Sequence, residues 1–277
     1  MCGRYSRTRN KQEITEFFYV EEFASEPIPR WNIGPMQSAG VVLSRGGKRV
    51  YQDLQWGFKP PWGKTTLINS RADHLLESRF FSPLLRAGKR CLFVADGYYE
   101  FVEKDGLSLP FYTTLRDRGF MAFAGLWDDV KPSPAAPKVR KAKPESSQLT
   151  FSFEAPPQEG DAAPAMGRGE DRPTDASAKG GGPGELPDGA PRPTAFIITT
   201  EPNALMLQVG HDRMPVILDP PSWEAWLDAR TPVAEVFPLL KMLDPARMQS
   251  WFVRPLVNRL AHDAPDCIEA VGGVLTA

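Results

Sequence analysis

The second residue, Cys2, offers two nucleophiles on one carbon skeleton once the initiator Met1 is removed. Cys2 then carries a free α-amine beside its thiol, a 1,2-aminothiol that no other position of a chain can supply. An α-amine has a pKa of about 7.7–8.0, so a sizeable part is unprotonated at neutral pH. It can form an imine with an aldehyde, and the thiol can close on the imine carbon intramolecularly to give a thiazolidine. The position of Cys2 alone is also compatible with a small, buried cysteine that is chemically inert.

A polar cluster at Asn69, Ser70 and Arg71 precedes a helix-like stretch. Its polar side chains fit a helix N-cap and a solvated surface pair between Arg71 and Asp73. They equally fit a functional site in which Asn69 lies against Cys2 and Arg71 binds an anion near the N-terminus of that helix.

Two more candidates for proton transfer are Glu100 and His211. Glu100 lies between aromatic residues in a strand-like run, which suits general acid–base work and also the solvent face of a half-buried strand. His211 is followed by Asp212 and Arg213 in a predicted loop before an apolar strand, where a histidine is either structural or catalytic.

Aromatic and basic residues alternate with prolines over residues 56–64. Exposed aromatic rings can stack on unpaired bases while cationic side chains follow the phosphate backbone. Trp56 suits the core, whereas Trp62, between Pro61 and Gly63, is the better stacking candidate.

Bulk composition narrows the class of protein. The formal net charge of −1 over 277 residues does not indicate a strongly basic nucleic-acid binder. Three cysteines, Cys2, Cys91 and Cys267, argue against a disulfide scaffold, match no zinc spacing and indicate a reducing compartment. We find no signal peptide and no apolar run near 18 residues, so we expect no membrane association.

The composition also divides the chain. Residues 131–192 contain 11 Pro and 8 Gly, with few large apolar residues, and are predicted to be a disordered insertion. Residues 1–130 and 193–277 are predicted to form one domain, because both flanks carry helix-like and strand-like pieces and neither looks complete alone.

Secondary structure is predicted mainly from hydrophobic periodicity and turn residues. Helices are expected over 12–23 with Asn10 as N-cap and over 72–85, and a hairpin around Gly46 and Gly47. Further strands are expected at 90–102, 109–115, 120–127 and 194–200. Strands and helices without a regular βαβ rhythm predict an α+β fold.

Several of these clusters, in this order, resemble the SRAP family of abasic-site processing proteins, also called SOS-response-associated peptidases. The resemblance covers most of the chain outside the insertion. The motifs that carry it are Met1-Cys2-Gly3-Arg4-Tyr5, Arg30-Trp31-Asn32-Ile33-Gly34-Pro35, Trp56-Gly57, Ile68-Asn69-Ser70-Arg71, Ala95-Asp96-Gly97-Tyr98-Tyr99-Glu100 and His211-Asp212-Arg213-Met214-Pro215. Each motif is weak alone, but their shared order is specific.

The resemblance implies a single domain with a curved, barrel-like antiparallel sheet flanked by helices. It also implies an enzyme with lyase-like activity that binds abasic sites in single-stranded DNA and crosslinks to them through a thiazolidine at Cys2. Met1 is removed first, autocatalytically by a peptidase activity or by another enzyme. By similarity, Asn69 orients Cys2, Glu100 moves protons during sugar ring opening and Met1 removal, and His211 positions the adjacent phosphate and assists proton transfer. Such a protein shields abasic sites during the DNA damage response.

The predicted binding set extends beyond these four catalytic residues. The residues expected to contact DNA or its phosphates are Arg4, Asn32, Trp62, Arg71, Arg79, Thr199 and Arg213. No cofactor or metal is expected. The protein is expected to be a DNA-associated monomer in the cytoplasm, or in the nucleus if its source is eukaryotic.

Two other functions fit parts of the sequence. Class II glutamine amidotransferases also begin Met-Cys-Gly and use the N-terminal cysteine to form an acyl-enzyme. The clusters at 69–71 and 211–213 favour the SRAP pattern instead. A noncatalytic binder of single-stranded DNA, in which Cys2 is incidental, is the third possibility.

Overall fold

The computed structural model of the protein describes residues 2–60, 63–129 and 193–277. In chain order its strands are β1 (Arg4–Arg7), β2 (Glu22–Phe23), β3 (Arg30–Ile33), β4 (Ser38–Arg45), β5 (Lys48–Trp56), β6 (Asn69–Arg71), β7 (Arg90–Ala95), β8 (Gly97–Lys104), β9 (Leu107–Leu115), β10 (Met121–Asp128), β11 (Thr194–Thr200), β12 (Met214–Pro215), β13 (Met248–Val253) and β14 (Ala270–Leu275). The α-helices are α1 (Lys11–Phe18), α2 (Phe81–Arg86), α3 (Ala204–Val209), α4 (Pro220–Leu227) and α5 (Val233–Val236). Short 3₁₀ helices lie at Ala72–His74, Phe237–Leu239, Pro245–Arg247, Pro255–Asn258 and Pro265–Ile268.

An eight-stranded sheet curls into a partial ring. Its strand order is β12-β11-β10-β7-β4-β5-β2, and β6 pairs with β11 in addition. Strand β11 runs antiparallel to β10 and parallel to β5, with Thr194 opposite Gln55, so five strands close on themselves. The α+β fold with a curved, barrel-like sheet is therefore confirmed, and the ring closes through one parallel pair, β5–β11, within a mostly antiparallel sheet.

A six-stranded antiparallel sheet has the order β14-β13-β9-β8-β1-β3. Strand β1 lies between β8 and β3, which places the N-terminus of the chain within the sheet rather than at its edge. The buried ring of Tyr5 in β1 makes edge contacts with Trp56, Phe93 and Phe123, at centroid distances of 5.3, 6.2 and 6.0 Å. These contacts join β1 to the core of the eight-stranded sheet.

Turn and cap residues predict two elements well. The hairpin β4–β5 turns at Gly46 and Gly47, whose φ angles of 59° and 82° favour glycine. Helix α1 begins after Asn10, which forms a capping box with Glu13. The prediction that this helix reaches residue 23 is wrong, because Tyr19 adopts a left-handed conformation with φ 54° and ends it.

The single helix predicted over residues 72–85 is also wrong. The segment forms a 3₁₀ turn at Ala72–His74 and then helix α2 at Phe81–Arg86. Pro83 explains the break, because proline lacks an N–H and its ring clashes with the preceding helical turn. A helix containing Pro83 must begin just before it. Leu75, Leu84 and Leu85 are buried all the same.

The described residues on both sides of residues 130–192 belong to one compact unit. Asp128 at the end of β10 lies opposite Thr194 at the start of β11, so the two flanks meet as neighbouring strands. The predicted insertion 131–192 lies outside the described residues, and its disorder and the domain limits stay predictions. Within the described part of the chain, no helix is long and apolar enough to cross a membrane.

Candidate active site

Cys2 lies at the end of the six-stranded sheet, beside the strand that carries Glu100. Strand β1 pairs antiparallel with β8, with Arg4 opposite Tyr99, so the residues before Arg4 run past Glu100. The side chain of Cys2 is fully buried. The sheet therefore fixes the N-terminal segment, whose first described residue is the candidate nucleophile.

Asn69 holds the backbone of Cys2. Its side-chain amide Nδ2 donates to the carbonyl oxygen of Cys2 at 2.7 Å. Strand β6 positions Asn69 through parallel pairing with β11, where Asn69 lies opposite Ile197. The Oδ1 atom of Asn69 is buried and accepts no hydrogen bond from the described residues. One acceptor thus stays open beside the N-terminal segment.

Glu100 and His211 form a buried pair. The distance from His211 Nε2 to Glu100 Oε2 is 2.9 Å, and the side chains are 14% and 2% exposed. The other ring nitrogen, Nδ1, lies 3.3 Å from the carbonyl oxygen of Arg213, to which it can donate. The close contact between Nε2 and Oε2 then requires a proton between them, because both atoms otherwise present lone pairs. Such a shared proton can be passed to or from a reacting group.

Gly210 explains how the chain delivers His211 to this position. Helix α3 ends at Gly210, which has φ 89° and serves as a left-handed C-cap. The N–H of His211 then donates to the carbonyl oxygen of Met206 at 2.9 Å. Glycine adopts this conformation without the strain that a Cβ would introduce. The cap turns the chain sharply, so His211 enters the site directly after the helix.

The surroundings of Cys2 disfavour a preformed thiolate. Burial raises the pKa of the Cys2 thiol well above its usual value, and the nearby charge of Glu100 raises it further. The same two causes, burial first, raise the pKa of Tyr98, whose hydroxyl group donates to the sulfur of Met206 at 3.0 Å. Because the thiol stays protonated, its reaction requires a base that accepts the proton as the new bond forms.

Arg71, Arg213 and Thr199 lie together next to this centre. Thr199 in β11 is opposite Arg71 in β6, and the carbonyl oxygen of Thr199 accepts from Arg213 Nη2 at 2.7 Å. Asp73 contacts both arginines, at 2.5 Å from Arg71 Nη2 and 3.2 Å from Arg213 Nη2. The structure thus brings together three of the predicted phosphate-binding residues and one carboxylate.

Arg4 and Asn32 are placed differently. The Arg4 guanidinium donates to Asn32 Oδ1 and to the carbonyl oxygen of Val257, both at 2.9 Å, and lies over the ring of Phe101. Phe101 and Glu100 are adjacent in β8, so their side chains point to opposite faces. Asn32 is fully buried. Both side chains hold the segment that follows β13, and their predicted contact with DNA stays a prediction.

Comparison with known proteins reveals the family of the chain. The family of SOS response associated peptidases (SRAP) matches residues 1–152 and 175–260. The chain belongs to the SRAP family. Among its relatives, the abasic site processing protein YoqW of Bacillus subtilis is 28% identical over 98% of this chain and 100% of its own length. The abasic site processing protein HMCES of Gallus gallus is 30% identical over 87% of this chain and 66% of its own length.

Solved structures support the same fold. A crystal structure of a protein from Bacteroides thetaiotaomicron has a TM-score of 0.66 and 18% identity, and the match covers 98% of this chain and 100% of that one. A protein from Bordetella bronchiseptica has a TM-score of 0.61 and 17% identity, over 91% of this chain and all of its own. At these identities the likeness concerns the fold alone. The SRAP fold is therefore shared by chains that have diverged widely in sequence.

Two further DNA contacts are predicted for this SRAP chain, at Arg79 and Trp62. Arg79 is exposed and follows the 3₁₀ turn at Ala72–His74. Trp62 lies outside the described residues. Sequence reasoning weighed Asp73 only as the surface partner of Arg71 and missed its contact with Arg213, which lies 140 positions further along the chain. No local signal in the sequence joins those two residues.

One group of potential metal ligands lies among the described residues. His262, Asp266 and Cys267 have ligand atoms within 4.8 Å of one another. His262 Nε2 and Asp266 Oδ1 are 2.8 Å apart, and Cys267 Sγ contacts the backbone carbonyl of His262. These hydrogen bonds explain the cluster without an ion, and none of its members belongs to the predicted catalytic set.

Proposed function

We propose that this protein processes abasic sites in single-stranded DNA by forming a covalent crosslink through Cys2. The observation that carries the proposal is the convergence of Cys2, Asn69, Glu100 and His211 at one buried place. The abasic site processing proteins named among its relatives support the same substrate. Arg71 and Arg213 supply positive charge beside this place, as a nucleic acid requires.

The first step is hydrolysis of the peptide bond between Met1 and Cys2, which consumes one water molecule and frees the α-amine. Asn69 keeps the carbonyl group of Cys2 fixed during this step. Its open Oδ1 is an acceptor available to the new amine. The Glu100–His211 pair supplies and removes the protons that bond cleavage needs.

The second step captures the ring-opened deoxyribose. The α-amine attacks the aldehyde carbon, and loss of one water molecule gives an imine. The Cys2 thiol then adds to the imine carbon, and the Glu100–His211 pair passes the thiol proton to the imine nitrogen, which becomes a secondary amine. The product is a thiazolidine, and the net change is the loss of one water molecule. Holding amine and thiol on one residue makes the closure intramolecular.

Denaturing electrophoresis and mass analysis test this function. We expect wild-type protein to lack Met1 and to form a heat-stable adduct with a single-stranded abasic oligonucleotide. The N-terminal peptide should carry the sugar fragment less one water. Cys2→Ala should lose the adduct, while noncovalent DNA binding stays measurable. Cys2→Ser should form only an imine, which survives denaturation only after borohydride reduction. The wild-type adduct should survive without reduction.

Three results would contradict the proposal. Retention of Met1 in the active protein removes the aminothiol altogether. A stable adduct with Cys2→Ala places the crosslink on another residue. Hydrolysis of glutamine through an acyl-enzyme would favour an amidotransferase, and DNA binding without any adduct would favour a noncatalytic binder.

A further inference from the structure

Asp73 is the carboxylate shared by two arginines of the candidate phosphate site. Arg71 makes a bidentate contact with it: Nε donates to Oδ1 at 3.2 Å and Nη2 donates to Oδ2 at 2.5 Å. Oδ1 also accepts from Arg213 Nη2 at 3.2 Å. Pairing with Arg71 holds the pKa of Asp73 well below its usual range, so this carboxyl group stays ionised at neutral pH.

Arg213 depends on this contact more than Arg71 does. Its side chain is 9% exposed, against 50% for Arg71. Its Nη2 atom is taken by Asp73 and the carbonyl oxygen of Thr199, while its Nε is buried and has no hydrogen-bond acceptor among the described residues. Among the residues that the structure describes, Asp73 is the one carboxylate within ion-pair distance of Arg213. Without Asp73, a nearly buried guanidinium would lack its counter-charge.

These three side chains connect directly to the catalytic centre. Arg71 follows Asn69 by two positions in β6, and Asn69 donates to Cys2. The backbone carbonyl of Arg213 lies 3.3 Å from Nδ1 of His211. Whatever fixes Arg71 and Arg213 relative to each other therefore also fixes a bound phosphate relative to Cys2 and His211.

We propose that Asp73 is a positioning residue, which fixes the guanidinium groups of Arg71 and Arg213 so that a DNA phosphate binds in one orientation beside Cys2. The inference rests on the proposed function. Together the three residues carry a net charge of +1, which one phosphate diester neutralises. Removal of Asp73 leaves +2, which attracts DNA more strongly but leaves the arginines free to move. Affinity and crosslinking rate should therefore change in opposite directions.

Asp73→Asn separates the two effects. We expect noncovalent affinity for intact single-stranded DNA to stay equal or to rise up to about fivefold at low salt, from the lost negative charge. The first-order rate of adduct formation at saturating abasic DNA should fall at least about tenfold, because misplacement of a bound substrate lowers rates strongly. Asp73→Glu keeps the carboxylate and should recover most of the rate.

Glu77→Gln is the matched control. Glu77 is 83% exposed, lies four positions from Asp73 and contacts His74. Its removal changes the net charge equally, and we expect a crosslinking rate within about twofold of wild type. If Asp73→Asn does not fold, Asp73→Ser removes the same charge and carries the same test.

The outcomes distinguish this inference from the function on which it rests. Wild type that forms no adduct overturns both. If wild type and Asp73→Asn form the adduct at the same saturating rate, the positioning role of Asp73 is overturned and the proposed function stands. A fall in rate that Glu77→Gln reproduces, or that Asp73→Glu does not relieve, also overturns it, because charge or local structure then explains the effect.

Discussion

Arg4 and Arg213 are both predicted to hold phosphates, yet the structure places them in different surroundings. Arg4 donates to the neutral acceptors Asn32 Oδ1 and Val257 O, and burial lowers its pKa. Arg213 is held by the carboxylate of Asp73 and by one carbonyl group. A phosphate can compete with or join a carboxylate at a guanidinium, because both are anions of similar geometry. It cannot replace a backbone carbonyl without disrupting the segment to which that carbonyl belongs.

The environment of an arginine therefore indicates its role better than its position in a motif. The segment held by Arg4 is also fixed by Asp263, which accepts from the backbone N–H groups of Trp31 and Asn32 at 2.6 and 2.9 Å. Arg30 pairs with the same carboxylate. Arg4 is thus one part of an internal polar network, whereas Arg71 and Arg213 border the site and are joined by the carboxylate of Asp73.

The largest expected effect is on stability. Arg4→Ala should lower the free energy of unfolding by about 2 kcal/mol, because it leaves the buried Asn32 Oδ1 without a donor and removes one of the two donors to Val257 O, the other being Asn32 Nδ2. Urea unfolding measures the change. Arg86→Ala, at an exposed arginine of α2, should change stability by less than about 0.5 kcal/mol. A tenfold loss of DNA affinity in Arg4→Ala at unchanged stability would instead show that Arg4 binds phosphate.

The sequence predicts local features of this region but not the network. The ordered motifs predict Cys2, Asn69, Glu100 and His211 as site residues, because each is embedded in a short, distinctive run of residues, and the structure brings the four together. The contact between Arg4 and Val257 joins positions 253 apart, and that between Asp73 and Arg213 joins positions 140 apart. Such pairs depend on how the sheets assemble, which neither periodicity nor spacing encodes. Proline at position 83, by contrast, was a local signal against the long helix predicted there.

The second expected effect is on DNA binding. Arg71→Ala should weaken binding to single-stranded DNA about tenfold at low salt and make the dependence of log K on log salt shallower by about 0.7. The free energy of unfolding should change little, because half of the Arg71 side chain is exposed. Fluorescence anisotropy over a salt series measures both quantities.

Arg230→Ala provides the control for this measurement. Arg230 is also exposed and paired with an aspartate, Asp228. Equal losses of affinity in the two variants would mean that overall charge, rather than a phosphate site at Arg71, governs binding. A loss of stability in Arg71→Ala comparable with that of Arg4→Ala would remove the difference between the two regions.

The smallest expected effect is the response of the two regions to acid. Asp73 has a folded pKa below that of the unfolded chain, so its stabilising contribution is present above about pH 4 and is lost as pH falls through the folded value. The carbonyl acceptors of Arg4 do not titrate. The difference in melting temperature between wild type and Asp73→Asn should be at most about 3 °C at pH 6, since the pair is partly exposed, and should decrease steadily as the pH falls from about 4 to about 2. The difference between wild type and Arg4→Ala should persist over the same range. If instead the Asp73→Asn difference persists at low pH, the carboxylate charge does not stabilise Arg213, and both arginines are held by neutral contacts.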